Sequence, residues 1–175
     1  MRPETFEFDP DVVDAADDRQ RAFLDELRAT IRRLAPEELD LSTTTAQIDD
    51  GVLFVTLSHR SQDDQLLAAS VGSDEAIVYY GVEHEHFWPD DPANGRLWPI
   101  DAADHAAAAG ELVKAILAGN VELEVRESLL MQRATSYLVD DEGHRDVITR
   151  SGTFRLRRGN AGTKLLRFDF GVNRS

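Results

Sequence analysis

Residues 121–127 read Val-Glu-Leu-Glu-Val-Arg-Glu, apolar and charged in strict alternation. An extended chain sends neighbouring side chains to opposite faces. A segment with this period can bury Val121, Leu123 and Val125 together only as a strand, leaving Glu122 and Glu124 for solvent. The same period recurs along the chain. It predicts strands at 43–48, 52–59, 66–71, 76–87, 131–140, 145–157 and 165–170, the penultimate one broken near Ser151-Gly152. Asp49-Asp50-Gly51, Gly72-Ser73-Asp74 and Asp141-Glu142-Gly143 supply the turns between them.

Two segments change to helical spacing. Phe23, Leu24, Leu27, Ile31 and Leu34 recur on one stripe of a helix expected over 11–34, stopped by Pro36. Ala109, Leu112, Val113, Ile116 and Leu117 form the stripe of a second helix expected from about Asp101 or Ala102 to Ala118 and stopped by Gly119, with His105 solvated in its first turn. Strands joined by short turns pair antiparallel. The expectation is a two-layer α+β domain, 1–175. One large, mostly antiparallel sheet of seven or eight strands is covered on one face by two helices, behind a loose leader at 1–10.

Composition narrows the function. Among 175 residues there is no cysteine, which removes disulfides, thiolate metal sites and cysteine nucleophiles. No run of eighteen apolar residues is present and the first ten residues lack the apolar segment of a signal peptide, so a cytoplasmic location is expected. The net charge of −14 opposes nonspecific binding to nucleic acid or to an anionic membrane. That charge is uneven. Residues 1–125 hold 9 basic and 27 acidic side chains, net −18, and residues 126–175 hold 10 basic and 6 acidic, net +4. Arg150, Arg155, Arg157, Arg158, Lys164 and Arg167 crowd the second part. They read either as a phosphate or nucleic-acid patch or, favoured by the total charge, as solvated strand faces pairing with nearby acids.

The richest chemistry lies in Ala76–Asp91, AIVYYGVEHEHFWPDD. Read as one strand, it puts Val78, Tyr80, Val82, His84 and His86 on one face, with Ile77, Tyr79, Glu83, Glu85 and Phe87 on the other. His84 and His86 can converge on a metal, with Asp90, Asp91, His59 or His105 completing the donors. No third ligand stands at diagnostic spacing, so no cofactor is expected. Glu83 or Glu85 beside a histidine is an alternative acid–base pair. The favoured reading is a binding rim of Glu83, His84, Glu85, His86, Trp88, Asp90 and Asp91. Trp88 would anchor a protein partner of basic character. A small-molecule-binding or oligomerisation domain is the third alternative.

The segment YYGVEHEHF, the Asp-rich loop after it, the helix ending ILAGN and the strand VELEV together resemble small bacterial immunity-type proteins of toxin–immunity systems. The resemblance spans about residues 76–126, with glutamate between the two histidines. It implies an α+β cytoplasmic protein that neutralises a secreted toxin domain by binding, and it carries no catalytic residue.

Overall fold

A computed structural model describes residues 6–62, 67–90, 102–128, 131–154 and 162–172. The elements run α1 (Pro10–Ala15), α2 (Asp18–Leu34), β1 (Leu39–Asp49), β2 (Val52–His59), β3 (Leu67–Val71), β4 (Ala76–Tyr80) and β5 (Glu83–Phe87). They continue α3 (His105–Leu117), β6 (Val121–Glu127), β7 (Met131–Val139), β8 (Arg145–Phe154) and β9 (Gly162–Arg167). The fold class is α+β.

The strands divide into two antiparallel sheets, where the alternation predicts one. The first has the order β1-β2-β3-β4-β5 and the second β8-β7-β6-β9. The reason is connectivity. The chain leaves β5 for helix α3, and β6 then takes both of its ladder partners, β7 and β9, from its own end of the sequence. Each sheet still has one apolar face, and the two faces share a single core. Leu53, Val55, Leu57, Leu67, Val71 and Val78 come from the first sheet. Val121, Leu123, Val125 and Ala134 come from the second. Helices α2 and α3 pack on each other, and α3 lies against β3, β4 and β5.

The long first helix is interrupted. Ala16 turns extended, and Asp17 caps α2 by accepting from Gln20 N at 2.8 Å while the Gln20 side chain accepts from Asp17 N. That reciprocal capping box satisfies two helix-start donors. The Gln20 amide, buried, also donates to Gly51 O and Val71 O at 2.8 and 2.9 Å and so pins α2 to the sheet. The described end of the leader is not loose. Phe6 and Phe8 are buried, and Glu7 between them is held by Arg28 and Arg32 of α2.

The C-terminal segment stitches the sheets together. β9 ends at Arg167, short of the predicted 165–170, and Phe168 and Phe170 drop into the core beyond it. Phe170 O accepts from Glu38 N at 3.0 Å, and the His59 Nε2–Asp169 O pair is at 2.9 Å. His105 is also a core residue rather than a solvated one. It is fully buried, with Nε2 3.0 Å from Gly72 O. β8 continues through Ser151-Gly152 and bulges instead opposite Ser136/Tyr137, where the extra residue Ile148 is buried.

The turn from β7 to β8 is built by one carboxylate. Asp140 Oδ1 accepts from His144 N at 2.8 Å and Glu142 N at 2.9 Å. These bonds, the one from His144 N first, hold the Asp140 carboxyl below the usual aspartate range. A depressed carboxyl stabilises the turn above its unfolded pKa, and that contribution is lost as pH falls through the folded value. Acid titration by NMR should therefore show the Glu142 and His144 amides shifting together with Asp140, at a midpoint below the ordinary aspartate value. Asp140→Asn should abolish that step, and a midpoint at or above the ordinary value would contradict the geometry.

Candidate functional site: the open face of the first sheet

The stretch 76–87 is a hairpin, not one strand. Gly81 and Val82 form a two-residue turn, with Tyr80 opposite Glu83. Gly81 sits at φ +59°, the left-handed conformation that the first central position of such a turn requires. A Cβ there would lie 3.4 Å from Leu123 Cδ2 and Phe168 Cζ, in ordinary contact, so the tip of the turn sits against the second sheet and it is the backbone conformation that favours glycine.

The turn shifts the alternation by one. Val78, Tyr80, Glu83, Glu85 and Phe87 all point into the core, and Ile77, Tyr79, His84 and His86 all point out. The predicted acidic rim is therefore half wrong. Glu83 and Glu85 are buried, and both reach groups on the inner side. Ser151 Oγ donates to Glu83 Oε1 at 2.6 Å. Tyr80 Oη donates to Glu85 Oε1 at 3.4 Å and lies 3.0 Å from Ser136 Oγ. This polar seam joins the β4–β5 hairpin to β7 and β8. A glutamate–histidine acid–base pair on β5 is excluded by the same geometry, because the carboxylates and imidazoles leave the strand on opposite faces.

On the outer face the rings form a contiguous row, stacked at its two ends and edge-on between the two histidines. The Tyr79 and His84 rings lie 6.0 Å apart, His84 and His86 5.0 Å, and His86 and Trp88 5.6 Å at 16°. His86 Nδ1 also contacts Glu75 Oε1. The other expected metal donors are engaged elsewhere. His59 meets Asp169 O and Ser61 N, and His105 meets Gly72 O. Asp90 is exposed beside Trp88, and Asp91 lies outside the described residues. Among the described residues no three His, Cys, Asp or Glu side chains come together as a metal group.

Sequence reading missed how far this face extends. Two cross-strand rows follow from the register. One is Gln47, Phe54, Ser70, Ile77 and His86, and the other is Thr45, Thr56, Ala68, Tyr79 and His84. Neither row contains Asp, Glu, Lys or Arg, in a chain that is 30% charged. Three of the large apolar side chains most exposed among the described residues stand here, Phe54 at 39%, Tyr79 at 36% and Trp88 at 40%. Carboxylates border the rows at Asp49, Glu75 and Asp90. The signal was present as Phe54 and Ile77 at outward positions, but it needed the pairing register to be seen as one surface.

Comparison with family models, with curated proteins and with solved structures gives no match to this chain. Among the described residues no helix is long and apolar enough to cross a membrane.

Proposed function

We propose that this protein binds and sequesters a basic protein partner through the open face of its five-stranded sheet. The observation that carries this reading is the pair of uncharged cross-strand rows, studded with Phe54, Tyr79, Trp88 and two histidines and edged by carboxylates. Interface cores are depleted in charge and enriched in aromatic residues, and their rims are polar. A rim of Asp49, Glu75 and Asp90, on a chain of net charge −14, steers a basic partner. With the resemblance to immunity-type proteins, the reading extends to a cytoplasmic neutraliser of a toxin domain.

The test is capture on the immobilised full chain, identification of the retained proteins, and measurement of the affinity and association rate of the one retained. That partner should be basic, and added salt should slow its association, since screening shortens the steering field. Asp49→Lys with Asp90→Lys should slow it likewise. Tyr79→Ala or Trp88→Ala should each weaken binding by about tenfold to thirtyfold, as loss of an aromatic anchor does. A partner held equally by all these variants would remove the face from the interface.

One observation favours a metal at His84 and His86 as the second reading. A carboxylate held against one imidazole nitrogen, as Glu75 is against His86 Nδ1, orients metal-ligating histidines elsewhere. Stoichiometric zinc or iron in protein purified without added metal, lost in His84→Ala/His86→Ala, would decide for it.

A further inference from the structure

The second sheet also leaves one face open, and its character is opposite. The register of β6, β7, β8 and β9 places Arg126, Arg133, Arg145, Arg150 and Arg167 on this outer face, with Glu122 and Glu124 as its acids. The glutamates, expected in solvent, are largely covered. Arg145 and Arg167 both close on Glu122, at 2.5 and 2.6 Å, and Arg126 Nε lies 2.5 Å from Glu124. Arg133 and Arg150 remain. Both are exposed, and among the described residues neither is paired to a carboxylate; Arg133 Nε reaches Met131 Sδ instead.

Antiparallel sheets often show one face to water, and a solvated face is the simple explanation. Two observations go against it. Arg126 and Arg133 are direct cross-strand partners, and like charges directly opposite each other destabilise a sheet. A face selected for solvation alone would set an acid there. The apolar residues interleaved with the arginines are also exposed, Leu165 at 41% and Met131 at 36%. Tyr137 lies among them under the Arg145 guanidinium, 5.7 Å from its ring centre. Arg, Tyr and Met are the side chains that interfaces collect.

We propose that the outer face of the second sheet docks an acidic protein segment. Arg133 and Arg150 take its carboxylates, and Leu165, Met131 and Tyr137 take its apolar side chains. A guanidinium grips a carboxylate through two parallel N–H donors, which a solvated lysine does not match. Nucleic acid fits less well, because its binding rests on a run of phosphate contacts, and on this face only Arg133 and Arg150 stand without a carboxylate partner among the described residues. This surface is separate from the uncharged face of the first sheet, since both sheets turn their buried sides to one core and their open sides away from it.

The experiment is fluorescence anisotropy with the full chain at about 50 mM salt, where screening is weak. The probes are a labelled glutamate–tyrosine copolymer, polyglutamate and a short single-stranded oligonucleotide. The copolymer should bind the wild type more tightly than polyglutamate does. Arg133→Glu/Arg150→Glu should weaken it by at least about tenfold, as removal of charge-paired arginines does. Arg21→Glu/Arg33→Glu, the same charge change on exposed positions of α2, should leave it within about twofold of the wild type. Arg133→Gln/Arg150→Gln, read alongside unfolding midpoints, should show an intermediate loss and covers the case in which charge reversal harms the fold. Absence of copolymer binding, equal losses in the two reversal variants, or an oligonucleotide bound as tightly as the copolymer would each overturn the proposal.

Discussion

Glu85→Lys is expected to destabilise the fold by about 3–5 kcal/mol, the range seen when a buried charge loses its compensation. Glu85 is wholly buried, and its Oε1 accepts the Tyr80 hydroxyl in the seam between the sheets. An ammonium placed there can only donate, and full burial takes it out of bulk water. Domains of this size are stable by about 5–15 kcal/mol in total, so the variant should lose roughly a fifth or more of that margin. Asp90→Lys, three residues beyond the strand end and exposed, should stay within about 0.5 kcal/mol. Urea unfolding of the two variants side by side is the measurement. A Glu85→Lys midpoint as close to wild type as that of Asp90→Lys would mean that the hairpin runs in the other phase, with its glutamates in solvent.

Leu27→Ala and Ile116→Ala should each cost about 2–5 kcal/mol, the transfer energy of the lost methyl groups plus the cavity they leave. Leu27 belongs to the buried stripe of α2 and Ile116 to that of α3, and the two helices are packed on each other. The spread depends on how far the surroundings collapse. Ile116, with no exposure at all, should fall toward the upper end, and Leu27 lower. Thermal or urea unfolding reads both. A loss under about 0.5 kcal/mol at either position would show that its helix face is not part of the core.

The periodic signals were legible wherever one residue type filled one face. Val121, Leu123 and Val125 are buried as their alternation requires, and the α2 and α3 stripes are buried too. Asp50-Gly51 turns where it should, both residues at positive φ. Legibility failed where a long-range contact outweighed the local pattern. Glu122 alternates like a solvent residue, but Arg145 and Arg167, more than twenty residues away, cover it. His105 stands in a first turn like a solvated residue, but the Gly72 carbonyl needs a donor inside the core. At the candidate site the failure was one of phase. Ala76 to Phe87 reads as continuous β-forming sequence, and Val82, a poor turn former by composition, hides the reversal that Gly81 starts. His84 and His86 were rightly put together and opposite Glu83 and Glu85; what failed was the link to β4, where the glutamates share the core face of Val78 and Tyr80 and the histidines the outer face of Ile77 and Tyr79. The Arg126–Arg133 opposition could not be read before β6 and β7 were paired.

The turn at Gly81-Val82 has a consequence for how this gene can change. Loops usually absorb insertions and deletions freely. This one should absorb a single added residue too, because a three-residue loop keeps Tyr80 opposite Glu83. Inside β5 the outcome is different, because side chains repeat with a period of two and one inserted residue inverts every position beyond it. An insertion after Glu83 would turn the Glu85 carboxylate to the surface and draw the His86 imidazole and the Trp88 indole inward, from a lesion that alters none of them. A one-codon insertion scan across 80–87 should therefore show folding kept at the tip and lost within 83–87.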